Sequence, residues 1–500
     1  MLPGDGLPAV EAPLLAPALA PAMSVRGLQD VFVFHDPCVL GTHLNLMVRA
    51  CGQVEAYAAA CGALAEIDRL NDVFNWRSAA SEISALNTAG RMSVSPDLFA
   101  VIAAAERWRV VSSGAVSGRM GLLLDRWRAA GGTPDRGEME QLARQIASAE
   151  VTLDPATRTI VRPEVVRFDL DAIAKGYIVD RALAVARETA GVCGALADIG
   201  GDIGSAGDGP DVGRWRIEVP EPLSLFDNAP ACGAIMLGEG AVATSGCGPR
   251  DVRANARAQS PTIDPRTGWP VAHRRSATAV APSALAADAL ATAMLVLGKR
   301  EARSLLAQLP DMSARVAGPG GAAWLGQAHA QWVEYAPQQQ GGKGSASLWK
   351  QGWFANITFE APPKDMRREI AFRSPYVAIW VSDLNDKPVR TLLLIGRNKE
   401  WHEGNHIWWR LNRTKVDAYF AGRSMSTRGS GTYKVYWDGT DDVGATAPTG
   451  KYRLHVETSR ESGGHEHRVL DLDFSTPKEF ESELPVSAQS GGLRVSFEKF

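Results

Sequence analysis

Between Arg275 and Lys299 the chain carries a single ionisable residue, Asp288. The stretch around it, Ala284-Leu285-Ala286-Ala287-Asp288-Ala289-Leu290-Ala291-Thr292-Ala293-Met294-Leu295, is apolar on every face. A helix of that kind belongs inside a core. The spacing predicts a helix over 283–297, closed by Gly298. A carboxylate within it is expensive unless a cation or hydrogen-bond donors compensate it. Thr292 lies four residues on and shares a face with Asp288. A carboxylate beside a hydroxyl offers hard oxygen ligands, which suit Mg²⁺. These residues alone equally allow Asp288 to cap a neighbouring loop, with Thr292 bonded back to its own helix.

The remainder of the chain sets the context. Its 500 residues, 45% of them hydrophobic, suffice for two or three domains. A formal net charge of -3 gives no basic excess of the sort that nucleic-acid binding favours. Cys38, Cys51, Cys61, Cys193, Cys232 and Cys247 contain no CxxC pair, so they read as buried free thiols rather than a zinc site. Residues 1–30 read as a disordered leader or the remnant of an export signal: Met1 to Ser24 is rich in Ala, Pro and Leu, but has no basic start. No segment reaches the roughly 18 to 20 continuous apolar residues of a transmembrane helix.

Residues 31–335 mix helical and extended patterns in an order that predicts an α+β domain. Val31-Phe34 and Leu44-Arg49 read as a hairpin, Val54 to Val73 as a helix, and Pro96 as the first turn of another. Thr159-Val161 pairs with Val151-Leu153 as a second hairpin. Asp169 to Ala190 reads as a helix that Asp169 caps. Residues 336–347 have the composition of a linker. Beyond them, residues 348–500 hold seven of the 14 tryptophans and a series of short strand patterns separated by turns. That series predicts an all-β, Ig-like sandwich, with the tryptophans in its core. His465-Glu466-His467 could bind a metal, but it follows Gly463-Gly464 and reads first as a solvated hairpin tip.

Lysine is scarce before residue 343, where only Lys175 and Lys299 occur. Lys175 sits near the start of a predicted helix, a place that can hold phosphate. Ala197-Asp198-Ile199-Gly200-Gly201-Asp202 and Ile263-Asp264-Pro265-Arg266-Thr267-Gly268 are glycine turns that let backbone approach a ligand. With Leu40-Gly41-Thr42, Trp76-Arg77, Ser81 to Asn87, Ala243-Thr244-Ser245-Gly246 and Ala287 to Ala293, these segments stand in an order that resembles the FAD:protein FMN transferases. That family is also called ApbE-like, or the thiamine-biosynthesis lipoprotein family.

The resemblance implies an activity: Mg²⁺-dependent transfer of FMN from FAD to a Ser or Thr hydroxyl of an acceptor protein, with release of AMP. It implies that the metal is held by the Ala172 carbonyl, Asp288 and Thr292. It implies flavin contacts from Leu40, Trp76, Ala115, Val116, Ser117, Asp169, Lys175 and Thr267, with Asp169 the candidate to take the hydroxyl proton. It also implies work outside the cytoplasmic membrane, in the periplasm or after export. Some positions depart from the family pattern. Val116-Ser117 stands where the family has Phe-Asp, Pro261 where it has His, Asp171 where it has a small residue, and Trp76 where it has Tyr. An FAD pyrophosphatase using water, or an exported flavin-binding protein without catalysis, are the alternative functions. The C-terminal region resembles an uncharacterised domain fused to such transferases.

Overall fold

The computed structural model describes residues 23–24, 31–220, 226, 228–246, 252–254, 257–259, 262–271, 275–327, 331–335, 348–360, 376–395, 405–412, 432–442, 444–459, 464–487 and 491–499. The linker expected at 336–347 lies outside them, as does the leader except for Met23–Ser24, a short strand at a sheet edge.

A nine-stranded antiparallel sheet organises the first part of the chain. Its spatial order is Met23–Ser24, Val31–Val39, Thr42–Ala50, Val192–Ile199, Asp202–Gly207, Gly240–Gly246, Ser276–Ala281, Ser313–Gly318 and Gly321–Gly326. Side chains alternate between faces along a strand, and the two faces differ in size of residue. Ala195, Ala197, Ala241, Ala243, Ala277 and Ala279 point to the face covered by the helices Gln53–Phe74, Ala174–Glu188 and Ala284–Val296. Leu196, Ile203, Val242 and Val280 point the other way, into a second core under the small sheet Gln331–Glu334, Ala231–Leu237 and Trp215–Pro220. The alanine-rich face lets helices lie close to the strands, and bulkier residues fill the space under the small sheet.

The apolar helix is where the sequence places it, from Ala284 to Val296. Ser283 caps it, accepting from the Ala286 amide at 3.2 Å. Asp180 adds a second cap from the neighbouring helix, its two oxygens accepting from Ala284 N at 2.7 Å and Leu285 N at 3.0 Å. The helices are pressed together at Gly176, where an added Cβ would stand 2.3 Å from the Ala284 carbonyl oxygen. Gly298 does not close this helix in a left-handed turn. It precedes the next one, Lys299–Leu306, and its amide donates to Glu301 at 2.9 Å.

The helix expected from Asp169 begins only at Ala174. Asp169 does not cap it, because it stands five residues before that start, where Ile173 is the N-cap residue; Asp169 instead bridges to Arg119, and its amide donates to the Gly118 carbonyl at 2.8 Å. A turn follows, in which the amides of Ile173 and Ala174 both reach the Leu170 carbonyl. The thiols of Cys51, Cys61 and Cys193 are free as expected but exposed, and Cys232 is half-buried. An exposed residue costs nothing there, so burial does not follow from residue type alone.

Residues beyond 348 are mostly β. One four-stranded sheet has the order Thr432–Trp437, Trp353–Glu360, Leu493–Lys499 and Phe480–Leu484. The other has the order Pro388–Ile395, Tyr376–Ser382, Lys451–Ser459 and His465–Asp473. They share a core that includes Ile357, Val435, Trp437 and Val495 from the first, and Ile379, Leu454 and Val456 from the second. His467 is not at a solvated tip: it lies within a strand, stacked on Trp380 and 3.0 Å from His455.

Gly176→Ala forces a methyl into the Ala284 backbone, and overpacking of this kind costs about 1–3 kcal/mol. Thermal unfolding followed by circular dichroism is expected to show a lower Tm for this variant. An unchanged Tm would mean the two helices separate without strain.

Candidate functional site

A cleft of about 800 Å³ opens at one end of the helical layer, within the size range of small-molecule sites. Lys175, Asp202 and Asp288 line one part of it, Trp76, Arg77 and Asp171 another, and Thr244, Ser245 and Thr262 a third. Leu40 and Gly41 line it as the two-residue turn between Val39 and Thr42. Both have positive φ, 52° and 77°. That geometry suits a tight hairpin, but it is uncommon for a leucine.

The polar end is built around Asp288, which is 4% exposed. Its Oδ2 accepts from the Gly176 amide at 3.4 Å. In a continuing helix that amide would bond the carbonyl four residues back, which is that of Ala172. No described residue donates to the Ala172 carbonyl. Burial, and after it the charge of Asp202, pushes the Asp288 carboxyl up to about 8, with Lys175 pulling the other way. Lys175 forms an ion pair with Asp202. Asp202 arrives there through a Gly-Gly hairpin: Ile199 pairs with Asp202, Gly200 and Gly201 have φ of 62° and 96°, and Asp198 accepts from Gly201 N at 2.8 Å. Thr292 is half-buried on the Asp288 helix, its hydroxyl 3.5 Å from that of Ser245.

The aromatic part is cationic. The guanidinium carbons of Arg77 and Arg128 lie 4.2 and 4.3 Å from the Trp76 ring centroid, close enough for cation–π attraction. The indole Nε1 donates to Asp171 Oδ2 at 3.3 Å, and Arg77 stands 3.9 Å from the same oxygen. Asp171 thus holds the orientation of Trp76.

Asp169 is buried, and one of its oxygens accepts from the Asp171 amide at 3.2 Å. The other, Oδ2, is buried without a hydrogen-bond partner. Burial first, and the Asp171 charge second, raise this carboxyl to about 6. Ala115, Val116 and Ser117 are buried, and none of them lines the cleft. Ser117 Oγ accepts from Arg119 N at 3.1 Å. Thr267 also lies off the lining, its hydroxyl accepting from Trp269 N at 3.2 Å, while Thr262 of the same turn lines it. Of the residues expected from sequence, the cleft therefore gathers Leu40, Trp76, Lys175 and Asp288. Pro261 lies outside the described residues. Asp202 and Arg128 were not anticipated as functional side chains. The Gly-Gly-Asp turn was a usable signal for the first, whereas an arginine near the end of an ordinary helix gives none for the second.

Comparison with known proteins follows the same division of the chain. The model of the ApbE family matches residues 40–316, and one described as a predicted periplasmic protein (DUF2271) matches residues 356–491. The FAD:protein FMN transferase of Haemophilus influenzae is 30% identical over 238 residues, covering 44% of this chain and 67% of its own. Its counterpart from Vibrio cholerae is 31% identical over 247 residues, covering 47% of this chain and 73% of its own. Among solved structures, the ApbE protein of Thermotoga maritima superimposes with a TM-score of 0.52 at 26% identity, over 59% of this chain and 96% of that one.

Asp169 yields a pH prediction. Its carboxyl titrates near 6 when folded, against an ordinary value of 3.8. Between these values the folded state binds more protons than the unfolded one, so stability falls as pH rises through the window. Above it, the ionised group costs on the order of 3 kcal/mol. Asp169→Asn removes that slope. Melting curves are expected to show the variant gaining on the parent between pH 4 and pH 7. A constant difference across that range would refute it.

Proposed function

The chain belongs to the ApbE family, and from that premise we propose that it transfers FMN from FAD to a Ser or Thr hydroxyl of another protein. The observation that carries the reading is the buried Asp288 at the polar end of the cleft, on one helix face with Thr292 and next to Lys175. The relatives named above are FAD:protein FMN transferases, and FAD brings both a pyrophosphate and large aromatic rings to a site. Lys175 and Asp288 suit the first; Trp76 with Arg77 and Arg128 suits the second.

The residues present also fit Mg²⁺. The Ala172 carbonyl without a donor, the Asp288 carboxylate and the Thr292 hydroxyl are hard oxygen ligands, and a cation is what would let so buried a carboxylate ionise. When bound, the ion would neutralise charge on the pyrophosphate. Lys175, oriented by Asp202, adds positive charge beside it. Trp76, held by Asp171, orients a ring. Asp169, raised to about 6, is suited to take a proton near neutral pH. In the reaction the acceptor oxygen bonds to the phosphorus on the FMN side, and the bond to the AMP phosphate oxygen breaks. The hydroxyl proton passes to the base, and AMP leaves. Ala115, Val116, Ser117 and Thr267 would act through backbone groups or by shaping the loops beside the cleft.

The match of residues 356–491 to a predicted periplasmic protein supports work outside the cytoplasmic membrane. No helix among the described residues is long and apolar enough to cross one. Two four-stranded sheets around one core support an Ig-like sandwich for that region.

Incubation with FAD is expected to release AMP only when Mg²⁺ is present, and to add the mass of FMN to an acceptor peptide. Asp288→Ala is expected to lower AMP release about 100-fold or more, the scale seen when one electrostatic stabiliser is lost. AMP without a gain in acceptor mass would instead identify a pyrophosphatase. FAD binding with neither product would identify a carrier.

A further inference from the structure

A second group of potential ligands lies far along the chain, in the region after residue 348. The sheet that contains Lys451–Ser459 buries Val456 and Leu454 on one face. The alternate residues His455 and Glu457 therefore point to the opposite face. Glu457 pairs across the sheet with His467, so His465 is its diagonal neighbour on the same face. The helix His406–Asn412 packs there through Trp408, which contacts Ala378 and Trp380. This brings His406, at the start of the helix, against His465, with ring centroids 4.1 Å apart.

Ligand atoms of His406, Glu457 and His465 all lie within 4.8 Å of one another. Glu457 has no exposed surface, and its position is fixed: Oε1 accepts from Ile407 N at 3.0 Å and Oε2 from Trp408 N at 2.7 Å. Each carboxylate oxygen has a further lone pair, and Oε1 already uses one toward His465 Nε2 at 2.7 Å. Both imidazoles are exposed, so an ion has a path in. The other two imidazoles on this face are committed elsewhere: His467 bonds His455, which bonds Ser382 Oγ at 2.8 Å.

We propose that His406, Glu457 and His465 bind one divalent transition-metal ion of the zinc type, which ties the start of the helix to the two strands. Two imidazole nitrogens and one carboxylate oxygen are a zinc-type donor set, with a fourth position left for water. Mg²⁺ and Ca²⁺, which prefer oxygen ligands alone, are disfavoured. The ion takes the place of the hydrogen bond between His465 Nε2 and Glu457 Oε1. The backbone amides on Glu457 act as the outer partners that orient a ligating carboxylate.

The test uses the full chain, stripped with a chelator and titrated with Zn²⁺ in excess Mg²⁺, so that the oxygen site of the cleft is already filled. One zinc ion per chain is expected to bind and to raise the Tm. In the double variant His406→Ala/His465→Ala, affinity is expected to fall about tenfold or more and the Tm shift to vanish. Asp288→Ala is expected to keep both, which separates this site from the transferase centre. Both substituted histidines are exposed, so folding is expected to survive, and a matching far-ultraviolet spectrum verifies it. Equal zinc affinity in parent and double variant would overturn the proposal, as would competition by Mg²⁺.

Discussion

The structure turns on a carboxylate that should not be where it is. Asp288 stands in the most buried helix among the described residues, beside a second acid, Asp202. Desolvation alone disfavours its charge. The surrounding contacts reduce that cost without removing it: one long bond from Gly176 N, and the charge of Lys175 nearby. The local architecture follows from bringing these groups together. Gly176 has no Cβ, which allows two helices to meet backbone to backbone. Asp180 ties the same two helices end to end, through the first amides of the apolar one. The alanines of the central sheet let both helices settle against it. A core packed this tightly cannot absorb a misplaced charge by moving, so the remaining imbalance is suited to a cation.

The cleft divides its electrostatics between two ends. Lys175 and Asp202 form a pair in which the acid is buried and the amine is partly open. The pair keeps the amine close to Asp288 without leaving it free to wander. At the aromatic end, two guanidiniums lie over one indole: Asp171 holds the indole and faces Arg77, while Asp125 holds Arg128. Such an end is adjustable, because exposed ion pairs contribute little individually. A rigid polar end and an adjustable aromatic end match a substrate whose reacting pyrophosphate needs fixed positioning, while its rings need only a surface.

What the sequence disclosed followed from what composition can express. An apolar helix with one acid announces burial whatever packs on it, so the burial of Asp288 was legible. The C-terminal strands were legible from their short β-type runs and turns, and Trp437 is in the core between the sheets as expected, whereas Trp380 and Trp408 are buried in a separate cluster under the helix at His406. Contacts set by tertiary structure were not legible. Asp169 has the residue type of a cap, yet the helix starts only at Ala174, and its side chain accepts from the Asp171 amide in the turn before it. Phe480–Leu484 is an edge strand with three polar residues in five, too weak a pattern to stand out. The helix at His406 has seven residues, below the length at which periodicity identifies a helix. His465 and His467 read as a solvated tip because only the folded sheet sets Glu457 opposite His467 and diagonal to His465.

The two parts of the chain meet through the layer that the cleft does not use. Asn228 lies between the strands Trp215–Pro220 and Ala231–Leu237 of the small sheet. Its side chain pairs with the Tyr436 backbone as a strand would, donating to the carbonyl at 2.7 Å and accepting from the amide at 3.0 Å. Phe226 packs on Phe354 and Tyr436 beside it. The small sheet covers the face of the nine-stranded sheet opposite the helices that carry Lys175 and Asp288. Among the described residues, none beyond 348 lines the cleft. The C-terminal region is therefore joined to the transferase part without contributing a described side chain to its chemistry, and its own ligating cluster at Glu457 can change occupancy without touching Asp288.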